Sequence, residues 1–303
     1  MEENVLFLEK SVSSNHEEKD VLYTCLTKKP LSDIQLKRIE REAGVRKVFP
    51  LTCLLDYKLK NDEPLFSSFE GWLHYADSLH ISLPEAAIAF EEKRSGLSKG
   101  FIREKVQIAW QTMSQSVEKG MGNDLCLLGG LMPHDEGVKL MALVEGGRSL
   151  SGETVGKAVA RALGVMTLNG CMGCVVAAPT AGSSGVLPGA LLTAAEHLSS
   201  DIAEIENALL VAAMTGALIA MRAPVSGALG GCQSEIGVAS AMTAAALAQL
   251  SGGTAKEVVH ASSLALKNIL GLICDPVAGP VEIPCIKRNA IGVANAFAAS
   301  DMA

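Results

Sequence analysis

Cys232, Cys274 and Cys285 are the residues of this chain whose types and settings are best suited to chemistry. They stand in GGCQSEIG, LICDPVAGP and EIPCIKRNA, each a turn marked by glycine or proline beside a helix-like apolar stretch. Three thiolates can hold three corners of a cubane iron–sulfur cluster and leave one iron open. An open iron is a Lewis acid toward a substrate oxygen. The same cysteines could instead be packing residues, which behave as small buried hydrophobes. Residue type and spacing leave both readings open.

The flanking residues add polar chemistry. Residues 224–237 bring Ser226, Cys232, Gln233 and Glu235 into one glycine-rich turn. Residues 274–289 carry Asp275, Glu282, Lys287, Arg288 and Asn289 around prolines that stiffen the chain, as fixed ligand geometry requires. Cys285 falls at a predicted helix start, where the dipole favours a thiolate. Lys287 and Arg288 could hold a carboxylate, or simply form a solvated face. Thr180, Ser183 and Ser184 lie in APTAGSSG, where glycines let backbone N–H groups approach an anion, although the stretch could equally be a plain turn. CMGC at 171–174 could be a redox pair or half a zinc site. No second CxxC or histidine pair completes it, so it reads as packing. Cys25, Cys53 and Cys126 are isolated and read as structural. The 6 histidines lie outside the three cysteine turns and read as structural or surface residues.

Helices must position these groups. Ser82, Pro84, Glu85 and Gly96 bracket one helix. Ile102, Val106, Ala109, Met113 and Val117 recur at helical spacing over 98–119. Ser151 caps 152–165, and Asp201 starts a helix that runs to about 221. Glu235 to Leu250 is an Ala-rich helix closed by Gly252 and Gly253. Thr254 and Glu257 form a capping box for 255–272, and Pro284 opens 285–300. The predicted fold is all-α, with Ala/Gly-rich buried helices in one catalytic domain over 67–303. Residues 1–66 form a small extension that could be α/β and whose role is not legible. In it Ser32, Gln35 and Gly44 bracket a short helix at 33–43.

Bulk composition narrows the function. Hydrophobic residues make up 49% of the 303 while aromatics are only 4%, which suits closely packed thin helices. The apolar stretches are interrupted by Glu204, Glu206 and Arg222 or fall short of the roughly 20 residues a membrane span needs. Glu2, Glu3, Glu9 and Lys10 interrupt the start, so no signal peptide is read there. Without one, 8 cysteines point to a reducing, cytoplasmic setting. A net charge of −7 with no basic block argues against nucleic acid as a partner.

The stretches APTAGSSGVLPG, SGALGGCQSEIG, LALKNILGLICDPVAGPVEIPCIKRNA and GVANAFAASDMA resemble, in order and spacing, the α chain of iron–sulfur-dependent L-serine dehydratases. The likeness covers roughly 67–303. It implies a [4Fe-4S] cluster held by Cys232, Cys274 and Cys285, and elimination of water and ammonia from L-serine. It also implies a β-type region, which a separate β subunit would supply, and a continuation beyond Ala303, so the catalytic domain reads as C-terminally short. Where the family usually has an Asn-Ala-Ser-Ile-like stretch before SGA, this chain has Arg222-Ala223-Pro224-Val225, and those substrate contacts are not carried over. Candidate bases are Glu235, Lys287 or a histidine from a β partner. Candidate substrate contacts are Thr180, Ser183, Ser184, Ser226, Arg288 and Asn289. The apolar face of Ile291, Ala294, Phe297 and Ala298 predicts a β subunit or a homo-oligomer contact. Rival readings are a cysteine desulfidase with the same cluster, a pyridoxal phosphate enzyme using Lys267 or Lys287, and an inactive or redox-sensing cluster subunit.

Overall fold

A computed structural model describes residues 5–12, 21–27, 38, 64–122, 125–278 and 282–303 of the chain. Two units are distinguished, Met1–Cys53 and Leu54–Ala303.

In the first unit, β1 (Val5–Val12) pairs antiparallel with β2 (Val21–Thr27), with Leu8 opposite Cys25 and Lys10 opposite Tyr23. Both segments are rich in Val, Phe, Tyr and Thr, which suit a pleated surface. The register is irregular between Val5 and Phe7. The helix expected at 33–43 lies outside the described residues apart from Arg38, which is helical. Cys53 also lies outside them.

The second unit is helical, with no strand among its described residues. Its helices are α1 (Phe69–Leu79), α2 (Leu83–Ser95), α3 (Lys99–Gly120), α4 (Glu136–Glu145), α5 (Gly152–Gly170), α6 (Val186–Leu198), α7 (Ile202–Ala220), the single turn α8 (Gly227–Gly230), α9 (Cys232–Leu250), α10 (Ala255–Asn268) and α11 (Cys285–Asp301). The all-α expectation holds for this unit.

Local chemistry sets most helix starts. Ser82, Asp201 and Thr254 each accept a bond from the N3 backbone N–H of α2, α7 and α10, while Glu85, Glu204 and Glu257 reach back to the cap. Each box satisfies two N–H groups that a helix start otherwise leaves without partners. Ser151 precedes α5 as expected but makes no side-chain cap bond; its hydroxyl pairs with Ser149 at 3.0 Å. Along α3, Ile102, Val106, Met113 and Val117 are buried, while Ala109 is half-buried and Trp110 takes the adjoining core position.

The core is built around α9. It is flanked by α6, α7, α10 and α11, and Ala239, Ala241, Ala244, Ala245 and Ala246 are fully buried along it. Short side chains let the neighbouring backbones approach, and burial of this Ala-rich surface supplies the hydrophobic stabilisation that a few aromatics would otherwise provide. Phe66, Tyr75 and Phe90 make a local aromatic nest, with the Phe66 ring 5.5 Å from Tyr75 and 5.1 Å from Phe90. Helix α7 is long and apolar enough to cross a membrane, but 72% of its apolar window is buried inside the fold. Its buried Glu206 takes a 2.6 Å bond from Gln107 and pairs with Arg103 at 3.2 Å. Burying that carboxylate without those partners would cost several kcal/mol.

Three boundaries differ from expectation. Helix α5 runs on to Gly170 rather than 165. Helix α9 starts at Cys232 rather than Glu235, because Gly231 adopts φ 74° and ψ −174° and turns the chain into the helix three residues early. Helix α10 stops at Asn268 rather than 272, because the following chain is drawn onto the start of α9. There the Gln233 N–H donates to Leu272 O at 2.8 Å and the Gly271 N–H to the Gln233 side chain at 2.9 Å.

Helix α11 buries Val293, Ala296 and Ala299, and Phe297 packs partly against the core. Ile291, Ala294 and Ala298 remain exposed.

Candidate active site

The three-cysteine region forms where the starts of α9 and α11 meet the 269–278 loop, the 3-10 turn Ala181–Ser183 and α8. Cys232 is the first residue of α9 and Cys285 the first of α11, and both are buried. Cys274 is exposed on the loop. It is held close to Cys232: a Cβ on Gly231 would lie 3.4 Å from the Cys274 nitrogen and 3.2 Å from Leu272 O. The Ala178–Pro179 and Ile283–Pro284 peptide bonds, one before each site loop, are cis.

Electrostatics tie the three sulfurs together. Burial first, then Cys232, Glu235 and Cys274, push the Cys285 thiol up to about 11, with Arg288 opposing them. Burial also raises Cys232, against a hydrogen bond and charge from Arg288. Without a stronger positive charge, two of the three thiols hold their protons. A metal centre would supply that charge, since coordinated thiols are deprotonated outright. Among the described residues no three His, Cys, Asp or Glu side chains close around a single ion.

Arg288 braces this pocket. Its guanidinium donates to Cys232 Sγ at 2.9 Å and to Ile273 O at 2.7 Å, and it pairs with Asp275. Burial works against its charge, yet these partners raise its pKa above the usual arginine value. The fork is thus spent on holding the Cys274 loop against Cys232.

Glu235, in the first turn of α9, is fixed from three sides. The Thr180 hydroxyl donates to its carboxylate. A Cβ on Gly182 would lie 2.7 Å from Glu235 Oε1, and one on Gly227 would lie 2.8 Å from Oε2. Two glycines therefore leave the room the carboxylate occupies.

The remaining residues singled out by sequence divide into braces and outliers. Asn289 is fully buried and stitches the 178–185 loop to α11, accepting from Gly185 N at 3.1 Å and donating to Gly182 O and Cys285 O at 2.9 and 2.8 Å. Ser183 and Ser184 are fully buried, with Ser183 bonding Ala178 O at 3.3 Å and Ser184 bonding Ala181 O at 2.8 Å. Both hold the turn from inside. Ser226 accepts from Ala228 N at 3.2 Å and caps α8 beside Glu235. Lys287 is exposed and pairs with Glu136 at 2.9 Å, apart from the carboxylate of Glu235.

Sequence reasoning missed three positioning roles. Glu282 is buried and accepts from Gly129 N at 2.6 Å and Leu131 N at 2.8 Å, anchoring the approach to Cys285. Gln233 ties α9 to the cysteine loop, and Asn169 donates to Ala181 O at 3.3 Å. Glu282 and Gln233 stood beside the cysteines in the sequence, but nothing local named their partners.

The helical domain thus presents three cysteines and a fixed carboxylate at two joined helix starts. The profile of the family described as serine dehydratase alpha chain matches residues 78–303. The chain is 38% identical to a probable L-serine dehydratase, alpha chain, of Bacillus subtilis (strain 168), over 79% of this chain and 79% of that one. It is 48% identical to the L-serine dehydratase, alpha chain, of Peptoniphilus asaccharolyticus, over 52% of this chain and 54% of the relative. L-serine dehydratase 1 of Escherichia coli (strain K12) is 36% identical over 78% of this chain, a match that spans only 53% of that relative. The chain belongs to the serine dehydratase alpha chain family.

Proposed function

We propose that the chain is the α chain of an L-serine dehydratase, converting L-serine to pyruvate and ammonia, with a [4Fe-4S] cluster at Cys232, Cys274 and Cys285. The observation that carries this reading is the seating of Cys232 and Cys285 at two meeting helix starts, with Cys274 beside them and the Glu235 carboxylate facing the same pocket. When bound, the cluster would supply a Lewis-acidic iron for the hydroxyl of serine.

The chain's own residues supply the rest. Glu235 is the in-chain group best placed to take the α-proton, because its orientation is set by Thr180 and by the space at Gly182 and Gly227. Lys287, engaged with Glu136, is the weaker candidate. The glycine-bearing turn at 180–182, held from inside by Ser183, Ser184 and Asn289, offers backbone N–H groups to the substrate carboxylate. Arg288 and Asp275 keep the exposed Cys274 loop closed on Cys232. Loss of hydroxide and the α-proton gives an aminoacrylate, which tautomerises and hydrolyses to pyruvate and ammonia. A β-type partner, which the name alpha chain in two of the relatives suggests, would complete the site and could add a histidine base. A reducing, cytoplasmic setting belongs to the same proposal.

The test is anaerobic reconstitution of the full chain with iron, sulfide and reductant, assayed for pyruvate from L-serine with and without a β-type chain. Broad absorption near about 400 nm, bleached in air together with activity, is the expected result for such a cluster. Full activity in air after chelator treatment would overturn the cluster and favour pyridoxal phosphate. Faster turnover of L-cysteine than of L-serine would favour the desulfidase reading.

A further inference from the structure

The cysteines not used above are brought together by the fold. Cys171 follows the last residue of α5 and is half-buried, whereas Cys126, after α3, is exposed. Although distant in sequence, their neighbours touch: a Cβ on Gly170 would lie 2.6 Å from Leu127 Cδ2. Burial raises the Cys171 thiol, and the neighbouring Cys126 backbone works against that rise. Cys171 also packs on the small apolar cluster of Leu127, Met132, Leu163, Met166 and Ile286. The segments that carry the exposed thiol and the sheltered one therefore meet outside the three-cysteine pocket. Cys126 thus has a setting that its isolation in the sequence did not suggest, while Cys171 of CMGC does pack, as expected.

We propose that Cys126 and Cys171 form a reversible disulfide, a thiol-redox site whose co-reactant is a low-molecular-weight disulfide. The Cys126 thiolate attacks one sulfur of the small disulfide, forming a mixed disulfide and expelling one small thiolate, which takes up the Cys126 proton. The Cys171 thiolate then attacks the Cys126 sulfur and expels the second small thiolate, which takes the Cys171 proton. Two electrons pass to the co-reactant, which leaves as two thiols, and the protein gains one S–S bond. Attack begins at Cys126 because it is exposed. Cys171 is half-buried, and burial raises its pKa against the lowering effect of the Cys126 backbone, so its thiolate is scarce at neutral pH.

The bond would act on the active site through a short route. The segment after Cys126 supplies the Gly129 and Leu131 N–H groups that hold Glu282, three residues before Cys285. Pinning Cys126 to the end of α5 fixes that segment and tightens its grip on Glu282.

The experiment treats the full chain anaerobically with glutathione disulfide and maps its cysteines by peptide mass spectrometry. A Cys126–Cys171 linkage is expected, reversed by excess thiol, lost in Cys171→Ser and kept in Cys174→Ser. A Cys171–Cys174 linkage, or glutathione left on Cys126 with no internal bond, would overturn the proposal. Amide exchange is read on the same samples. Exchange at Gly129 and Leu131 should slow several-fold on oxidation; an unchanged rate with the linkage present would overturn the coupling to Glu282.

Discussion

The two ends of α9 are held in opposite ways. At the C-terminal end, the Gly253 N–H bonds Ala248 O at 2.8 Å, Gly252 takes φ 82°, and Thr254 and Glu257 cap the next helix. Every partner there lies within a few residues. At the N-terminal end, Cys232 takes a bond from Arg288, Glu235 from Thr180, and Gln233 from Gly271, all from distant parts of the chain. The first end is a self-sufficient stop. The second is assembled by several segments, so losing one partner there displaces a sulfur or a carboxylate without unravelling a helix. Stability and chemistry are thereby separable along one element.

Substitutions at each end test that separation, from the largest effect to the smallest. Cys285→Ser should abolish cluster absorption and serine turnover while far-UV circular dichroism stays near that of the parent. Were the cluster-free variant to lose its helicity as well, Cys285 would be a packing residue and the contrast between the ends would collapse. Gly182→Ala places a methyl 2.7 Å from Glu235 Oε1 and pushes the carboxylate aside. A displacement of about 1 Å at a reacting group can cost about 10²-fold, so kcat should fall by about that factor with little change in Tm. Unaltered kcat would remove Glu235 from the reaction.

At the other end the expectation reverses. Thr254→Ala deletes the hydroxyl that caps α10 and should cost about 1 kcal/mol, seen in denaturant midpoints, while kcat stays at the parent value. A loss of activity beyond the loss of folded protein would show that the two ends are coupled.

The smallest effect is pH-dependent. The bond from the Thr254 backbone N–H, then that from its hydroxyl, holds the Glu257 carboxyl below its usual value. A carboxyl lowered in the folded state binds its proton more readily when unfolded. Its stabilising contribution is therefore complete above the unfolded value, about 4.3, and fades as pH drops through the lower folded value. Glu257→Gln should flatten that part of the stability curve, measured by urea titration from about pH 5 downward. A parallel curve would mean that the capping box does not persist in solution.

Sequence reasoning located the Ser82 and Asp201 helix starts, the capping box at Thr254, the Ala-rich core helix and the Cys285 helix start. Capping acts between residues three apart, and core helices repeat every three or four positions, so the information is local. The three cysteines were legible because prolines and glycines mark their turns. What only the tertiary structure decided was which groups meet. Arg288 looked free to bind a carboxylate but is spent on Cys232 and Asp275. Ser183, Ser184 and Asn289 looked like substrate contacts but are buried braces. Cys126 looked isolated, but Leu127 beside it meets Gly170 beside Cys171. Helix α9 begins early and α10 ends early because Gln233 binds the loop that leaves α10. Those contacts join segments far apart in sequence, where no periodicity or cap relates the partners. Only the packing of α5 and α9 against α11 brings them within hydrogen-bonding reach.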